Sequence, residues 1–329
     1  MLVLPFRPVT GMDLESWLHE LGIGVRAWTP LAGDLSQRRY FRIFLEEGSS
    51  LLAAYYPESL RETMARFVGA RSLLAGAGVR VPEIRESSAE LGWMLVEDLG
   101  TATLFEIGDR TEPVRTACFV AAAQSARWIA GLDSNAVELL GNPPLDSALL
   151  RRELEPTFEF LFDPAGLTGH PGERRDLSVA LDELCTRLGG DPLVPCHRDY
   201  MARNLIPLAE GIAVIDFQDL RLGPPAYDLA SLLNDSYFPD RAREAAILPE
   251  LWRTGPARAA YSRAVVQRTL KAAGTFARFA ARGNPRHVPL IAPSLARAAA
   301  HLELLPETAA VFPALREWWA TGLASRSIC

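Results

Sequence analysis

The sequence predicts an α+β protein with a strand-rich N-terminal part and a larger, mainly helical C-terminal part. Between residues 31 and 97, short apolar and aromatic runs bounded by glycine or proline are typical of β-strands. From Thr111 onward, apolar residues recur at spacings of three and four, which is typical of amphipathic helices. Three closely spaced polar motifs lie in residues 195–229, where we expect the chemistry of the protein.

The composition indicates a globular protein and excludes several functional classes. The 329 residues, of which 49% are hydrophobic, suit one large two-lobed domain or two smaller ones. A formal net charge of −6 argues against a general nucleic-acid-binding protein. No segment approaches the roughly 18 apolar residues of a membrane span. Because the N-terminus lacks a signal-peptide pattern and the four cysteines show no paired spacing, we expect a cytoplasmic protein without a membrane partner.

The N-terminal part is predicted to begin with a helix and a phosphate loop. Apolar residues at helical spacing predict an amphipathic helix over residues 12–21. Gly33, Asp34 and Ser36 then form a small polar turn ahead of an aromatic strand at residues 40–43. Small residues let backbone N–H groups approach phosphate oxygens, and the position of this turn ahead of the polar motifs favours a phosphate loop over an ordinary hairpin.

The next elements are predicted to be strands around one main helix. Ser59 and Glu62 have the spacing of a capping box, which would open a helix that runs through Leu74. Glu62 has two interpretations, as the capping residue or as the partner of a phosphate-binding cation, and capping is favoured. Strands are predicted at residues 50–56, 81–84 and 93–96. Helices are predicted at residues 112–131, 147–162, 175–188, 241–253, 256–282, 287–304 and 306–323.

The polar motifs carry the groups that phosphoryl transfer needs. Such a transfer requires a carboxylate that orients and deprotonates the attacking hydroxyl, and oxygen ligands that hold Mg2+ against the nucleotide phosphates. Asp199 suits the first role, and Asn204 with Asp216 suits the second. Residues 205–215, with a turn at Glu210 and Gly211, predict a β-hairpin that returns Asp216 to Asn204.

The order of these motifs resembles a known family. His197-x-Asp199-x-x-x-x-Asn204 followed by Ile215-Asp216-Phe217 resembles the aminoglycoside and choline kinase-like phosphotransferases, which share the protein-kinase fold. With Gly-Asp-x-Ser-x-Arg-Arg-Tyr-Phe-Arg at residues 33–42 and Tyr-Asp-Leu at residues 227–229, the chain is most similar to the bacterial anomeric kinases of N-acetylmuramate and N-acetylglucosamine in cell-wall recycling. The resemblance covers about residues 31–235.

The resemblance implies a two-lobed kinase fold that uses ATP and Mg2+. A small antiparallel-sheet lobe with one main helix, residues 1–97, would bind the nucleotide. A mainly helical lobe, residues 98–329, would hold the catalytic and acceptor groups, with the hinge at about 97–100. The acceptor would be a small molecule, namely the sugar, phosphorylated on its C1 hydroxyl.

The residues that we assign to this site fall into five roles. Asp199 is the general base, and Asn204 and Asp216 are the metal ligands. The nucleotide contacts are Gly33, Asp34, Ser36, Arg42, Glu97 and Leu99. Arg203 and Asp219 are candidate sugar contacts, whereas His197 is expected to orient the catalytic loop and Asp228 to brace it.

The chain departs from the family pattern on the strand at residues 50–56. Protein kinases and many relatives place there the lysine that contacts the α- and β-phosphates, but this strand reads Leu-Leu-Ala-Ala-Tyr-Tyr from residue 51. The single lysine of the chain is Lys271. Three explanations stay open: an arginine such as Arg39 or Arg42 substitutes, the metal carries more of the phosphate charge, or activity has been lost.

The charge of the late helices bears on the acceptor. Between Glu250 and Glu303 there is no acidic residue, while nine basic ones occur. A basic lining suits an anionic acceptor such as N-acetylmuramate, because cationic acceptors need carboxylates or aromatic cages. A solvated face or a self-association patch explains the same charges. Three hypotheses remain: an amino-sugar kinase, a kinase of another small hydroxyl compound such as an aminoglycoside, choline or homoserine, and a non-catalytic nucleotide-binding protein.

Overall fold

The structure, a computed structural model, describes residues 14–31, 37–163, 171–235 and 237–308. Its strands are β1 Val25–Leu31, β2 Arg39–Leu45, β3 Ser50–Tyr55, β4 Ile84–Ser88, β5 Trp93–Glu97, β6 Val194–Cys196, β7 Leu205–Leu208, β8 Gly211–Val214 and β9 Arg221–Gly223. Its α-helices are α1 Leu14–Glu20, α2 Arg61–Gly76, α3 Glu112–Ala130, α4 Ser134–Glu138, α5 Ser147–Arg152, α6 Glu155–Thr157, α7 Pro171–Gly189, α8 Tyr227–Leu233, α9 Arg241–Ile247, α10 Gly255–Ala281 and α11 Ile291–Leu302.

Within the described residues, β1 to β5 form an antiparallel sheet in the order β1-β2-β3-β5-β4. Because successive side chains of a strand point to opposite faces, every strand contributes side chains to both faces of the sheet. Ile43 and Ala53 lie on one face, in the core that the sheet forms with α1. Ala54 and Met94 lie on the other, in the core that the sheet shares with α2. The second face is the one that looks toward the rest of the protein.

The C-terminal part is built around α10, a helix of 27 residues. Along most of its length α10 is buried, and it packs against α6, α8 and α11. Gly274 lies where α10 approaches α6: a Cβ atom at this position would stand 2.5 Å from the Cα of Thr157. The Thr157 hydroxyl donates a hydrogen bond to the carbonyl of Leu270 at 2.8 Å, which fixes the two helices in this close contact.

The predicted α+β fold is confirmed, but several element boundaries were wrong. The strand predicted at 81–84 begins only at Ile84 and runs to Ser88. The helix predicted at 147–162 is divided into α5, α6 and a π-helical turn, because Pro156 has no N–H to continue the first helix. The helix predicted at 241–253 ends at Ile247, before Pro249. The prediction for 306–323 extends beyond the described residues.

The predicted capping box at the start of α2 was also wrong. Ser59 lies in a 3-10 turn, and the residue that caps α2 is Leu60, without a side-chain hydrogen bond. Glu62 pairs instead with Arg66 one turn later, at 3.1 Å, and 88% of its side chain is exposed. It therefore neither caps the helix nor reaches a phosphate-binding cation. Among the described helices, none combines the length and the apolar character that crossing a membrane requires.

Candidate active site

The hairpin of β7 and β8 brings two polar motifs together. The strands pair from Leu205 opposite Val214 to Leu208 opposite Gly211, which takes a left-handed φ of 95° in the tight turn. At the open end, the N–H of Ile215 donates to the carbonyl of Asn204 at 3.0 Å. Asp216 is thereby placed beside Asn204, as the sequence predicted.

Asn204 in turn is oriented by the loop that carries Asp199. Its side-chain nitrogen donates to the backbone carbonyl of Asp199 at 2.9 Å. This bond occupies the amide nitrogen and turns Asn204 so that its carbonyl oxygen is the group offered to a cation. Asp199, Asn204 and Asp216 thus form one constellation, fixed by backbone hydrogen bonds on either side.

The backbone is strained at Asp216 and at Arg198, the residue before Asp199. Arg198 has φ 76° and Asp216 has φ 62°, both in the left-handed region that non-glycine residues rarely adopt. Such conformations cost about 1–3 kcal/mol each and persist where surrounding contacts impose them. For Asp216, the contacts at Oδ1 come from Gln218 Nε2 at 3.0 Å and Arg38 Nη2 at 3.1 Å.

Asp228 fixes the backbone before Asp199. Its buried carboxylate accepts hydrogen bonds from the N–H groups of His197 at 2.6 Å and Arg198 at 2.9 Å. Burial raises the pKa of Asp228, although these hydrogen bonds act to lower it. The buried His197 ring contacts the carbonyl of Ile215 at 3.0 Å through Nε2 and so joins the Asp199 loop to the residue before Asp216. The roles of His197 in orienting the loop and of Asp228 in bracing it stay predictions.

Asp199 is surrounded by cations from two elements. Arg268 of α10 approaches its Oδ1 to 3.6 Å, and Arg198 approaches its Oδ2 to 3.4 Å. Lys271, one helical turn after Arg268, pairs with the buried Glu153 at 3.1 Å. Burial alone would raise the pKa of Asp199, but the charges of Lys271, Arg268 and Arg198 outweigh it and hold this pKa well below its ordinary value. Asp199 is therefore a carboxylate at neutral pH.

The two candidate sugar contacts lie near this constellation, with partners of their own. The guanidinium of Arg203 stacks over the ring of Phe105, 4.1 Å from its centroid. Asp219 pairs with Arg221 at 3.1 Å and with Arg198 at 3.4 Å. Their roles as sugar contacts stay predictions.

A cavity of about 430 Å³ lies between the sheet and the hairpin. Its lining includes the predicted nucleotide contacts Arg42, Glu97 and Leu99. Both predicted metal ligands, Asn204 and Asp216, also line it. The predicted contacts Gly33, Asp34 and Ser36 lie outside the described residues. The cavity therefore joins the segment predicted to be the hinge to the segment predicted to hold the metal.

Arg42 is held at the hinge end of this cavity. Its Nε donates to Asp98 Oδ2 at 2.7 Å and its Nη2 donates to Oδ1 at 3.1 Å, which makes a bidentate pair. Ser50 donates to the same carboxylate at 2.8 Å. Gly100, with φ 94°, then turns the chain toward the C-terminal part.

Four basic residues of the late helices pair with carboxylates. Arg263 pairs with Glu307 at 2.5 Å, and Arg297 pairs with the buried Glu244 at 3.1 Å. Arg268 and Lys271 are the pair that the structure brings to Asp199 and its neighbour Glu153. These carboxylate partners could not be predicted, because all of them lie far along the chain from the basic residues that they bind.

An aromatic contact joins α2 to the hairpin. Phe67 of α2 stacks on Phe217, the residue after Asp216, with ring centroids 4.5 Å apart and planes 27° apart. Phe217 is completely buried. Sequence reasoning did not predict this contact, nor the approach of Arg38 to Asp216. A signal for Arg38 existed, since it shares the strand parity of Tyr40 and Arg42, which both line the cavity.

Comparisons with known proteins show to which family the chain is related. Residues 27–262 match the phosphotransferase enzyme family. Proteins of Pseudomonas aeruginosa and Pseudomonas putida named N-acetylmuramate/N-acetylglucosamine kinase are 34% and 33% identical to the chain, with 79% of each chain covered in both cases.

Solved structures of low sequence identity share the fold. An ADP-bound aminoglycoside phosphotransferase superposes with a TM-score of 0.60 at 16% identity, over 92% of this chain and 99% of that one. A choline/ethanolamine kinase family protein from Mesorhizobium loti superposes with a TM-score of 0.57 at 17% identity, over 88% and 92%. From its sequence match and its fold, the chain belongs to the phosphotransferase enzyme family.

Proposed function

We propose that the chain is an ATP-dependent kinase that phosphorylates the C1 hydroxyl of N-acetylmuramate or N-acetylglucosamine. The observation that carries this proposal is the constellation of Asp199, Asn204 and Asp216 beside the cavity under the sheet. The names of the relatives from two Pseudomonas species support the choice of acceptor.

The nucleotide is assigned to the cavity. Residues 1–97 would form the nucleotide-binding lobe and residues 98–329 the catalytic and acceptor lobe. The backbone at Glu97 and Leu99 would take the adenine edge, because both residues line the cavity and lie in the segment predicted to be the hinge. ATP use is implied by membership of a phosphotransferase family.

The residues next to the cavity fit Mg2+. Asn204 and Asp216 offer hard oxygen donors, and the amide of Asn204 is turned by its bond to Asp199 so that oxygen remains for the cation. Among the described residues, no group of three or more histidine, cysteine or carboxylate side chains is placed to hold a metal. Mg2+ commonly takes one or two protein groups and completes its shell with phosphate and water. When bound, it would neutralise charge on the phosphates.

Asp199 would orient the acceptor and receive its proton. The C1 oxygen forms a bond to the γ-phosphorus while the bond from that phosphorus to the bridging oxygen breaks, and the hydroxyl proton passes to Asp199. A carboxylate of low pKa is a weak base, so its main contribution is to aim the hydroxyl. This suffices for a loose transition state, in which little negative charge has developed on the attacking oxygen.

The charges around Asp199 support a neutral or anionic acceptor. A polycationic aminoglycoside needs carboxylates that are not already neutralised. Here Glu153 is paired with Arg198 and Lys271, and Asp219 is paired with Arg221. Arg203 and Asp219 are retained as candidate sugar contacts. We assign the protein to the cytoplasm, where ATP and reduced thiols coexist.

The proposal is tested by supplying the protein with Mg-ATP and a panel of acceptors. The panel is N-acetylmuramate, N-acetylglucosamine, kanamycin, choline and homoserine. ADP release measures turnover, and phosphorus NMR locates the new phosphate. We expect a C1 phosphate on one or both amino sugars, and no product with the Asp199→Asn variant.

Other outcomes would replace the proposal. Phosphate on kanamycin, choline or homoserine, with the amino sugars inert, would identify a kinase of another hydroxyl compound. Nucleotide binding without product on any acceptor of the panel would remove the amino-sugar assignment.

A further inference from the structure

The strand that carries the phosphate-binding lysine in many relatives has no cation here. Ala54 of β3 lies opposite Tyr40 and Met94 in the sheet, and its side chain lines the cavity. Because the β3 residues that line the cavity are Leu52 and Ala54, β3 brings no charged side chain to it. The α- and β-phosphates of a bound nucleotide need positive charge from another element.

Arg38, just before β2, brings a cation beside Asp216, which lines the cavity. It immediately precedes Arg39, the first residue of β2, and its Nη2 lies 3.1 Å from Asp216 Oδ1. The side chain is 12% exposed, whereas that of Asp216 is 41% exposed. Arg38 is therefore more deeply buried than the proposed metal ligand with which it pairs.

The surroundings of Arg38 hold its guanidinium in a defined place. It lies over the ring of Tyr40, 5.7 Å from the centroid, and is hydrogen-bonded to the hydroxyl of Tyr56. Tyr40, Tyr56 and Asp216 all line the cavity. The guanidinium is thus a buried cation fixed in place by three cavity residues. Burial of such a charge is costly unless a partner or a ligand compensates it.

The two arginines that belong to β2 itself are excluded by their positions. Arg42 is bound bidentately to Asp98 at the hinge, away from Asp216. Arg39 has the opposite strand parity and is exposed to solvent. Of the two arginines that the sequence suggested as substitutes for the lysine, neither approaches Asp216.

We propose that Arg38 is the phosphate-binding cation of this protein, in place of the missing lysine. A metal ion at Asp216 would take over part of the charge that Arg38 now balances, and the guanidinium fork would then turn to phosphate oxygens as a bidentate donor. This inference rests on the proposed function, because it requires a nucleotide in the cavity. It differs from that proposal in naming the group that recognises the phosphates.

The test compares ligands that share adenosine and differ in phosphate. Dissociation constants of adenosine and Mg-ADP are measured by calorimetry for the wild type and for Arg38→Gln, Arg38→Lys and Arg39→Gln. We expect Arg38→Gln to weaken Mg-ADP at least tenfold and to leave adenosine within twofold of the wild type. Arg38→Lys keeps the charge but not the fork, so its Mg-ADP affinity should fall between the two. Arg39→Gln, the matched control, should bind both ligands like the wild type.

Two results would overturn the inference. Mg-ADP affinity of Arg38→Gln within twofold of the wild type would remove Arg38 from phosphate binding. An equal loss of adenosine and Mg-ADP affinity would mean that Arg38 only supports the shape of the cavity. The inference and the proposed function fail separately: a wild type that binds Mg-ADP through Arg38 but phosphorylates no sugar refutes the acceptor assignment alone.

Discussion

Asp199 is a single carboxylate whose chemistry depends on the charges placed around it. Arg268 and Arg198 approach its two oxygens from different elements, and Lys271 adds a third charge through Glu153. Arg268 is itself held by the hydroxyl of Ser231, to which its Nε donates at 2.9 Å. The surrounding cations therefore keep the Asp199 carboxylate ionised and hold it in a fixed orientation.

Replacing Asp199 by Asn should remove turnover while leaving nucleotide binding intact. Asparagine can neither aim the hydroxyl as a carboxylate does nor accept its proton, and the proton transfer alone contributes about 10²–10⁴ in rate. ADP release measures the rate, and a titration with Mg-ADP should give an affinity within twofold of the wild type. Asp191→Asn, at an exposed carboxylate, is the control and should keep full activity. Near-normal turnover of Asp199→Asn would exclude the role assigned to Asp199.

Replacing Asp216 by Ala should weaken nucleotide binding through the metal. In the wild type, we expect the affinity for ADP to rise when Mg2+ is added, because Asp216 and Asn204 hold the metal against the phosphates. The variant should lose most of that rise, a change of at least tenfold in Mg-ADP affinity. Calorimetry with and without Mg2+ measures it. A Mg2+ dependence identical to that of the wild type would place the metal elsewhere.

At the scale of elements, α10 positions the cations of the site, and α6 fixes α10. Arg268 and Lys271 project from the same face of α10 because they are three residues apart. Gly274 lies on the next turn, where the backbone of Thr157 comes so close that no side chain fits. Glycine normally weakens a helix interior by about 1 kcal/mol relative to alanine. Here the close contact with α6 explains why it is used.

Replacing Gly274 by Ala should therefore destabilise the protein, despite the better helix propensity of alanine. A Cβ atom 2.5 Å from Thr157 must push α6 and α10 apart, and overpacking of this kind costs about 1–3 kcal/mol. Urea denaturation measures the free energy of unfolding. The control is Gly76→Ala at the end of α2, where a Cβ atom meets nothing within 4 Å, so stability should stay equal or rise slightly. If Gly274→Ala were as stable as the wild type, α6 and α10 could move apart without a cost in the free energy of unfolding.

At the scale of the whole molecule, acid should destabilise the fold through a buried histidine. His301 of α11 is buried, with Nδ1 3.1 Å from the hydroxyl of Ser262. Burial, together with Arg297 and Arg241, lowers its pKa to about 3. In the unfolded chain the pKa of histidine is about 6.5. Between these values the unfolded state binds the extra proton, so the free energy of unfolding falls as pH drops, by up to about 1.4 kcal/mol per pH unit.

Replacing His301 by Gln should remove this part of the pH dependence. Glutamine can keep a hydrogen bond to Ser262 but does not titrate. Urea denaturation of both proteins between about pH 6.5 and pH 4 should give curves that converge as pH falls, with the wild type losing stability faster. Glu244 lies 3.9 Å from His301 Nε2 and is present in both proteins, so the difference between them reports His301. Parallel curves would show that His301 does not titrate as its burial implies.

The sequence predicted the parts of the molecule that depend on local pattern. The β7–β8 hairpin could be predicted because its strand and turn residues are contiguous, and with it the meeting of Asn204 and Asp216. The positions of Glu153, Arg268 and Lys271 around Asp199 could not, because they come from elements distant in sequence that only the packing of α10 brings together. Ser59 failed as a cap because a 3-10 turn precedes α2, which no spacing of residues reveals.

The stack of Phe67 on Phe217 decides how α2 is linked to the proposed metal site. Glu62, the acidic residue in the first turn of α2, points to solvent, and the link is an apolar contact between two rings. Salt screens attraction between charges, but it does not weaken such a contact in the same way. This contact between α2 and the residue after Asp216 therefore depends on the size and shape of the two rings, and changes in ionic strength should affect it little.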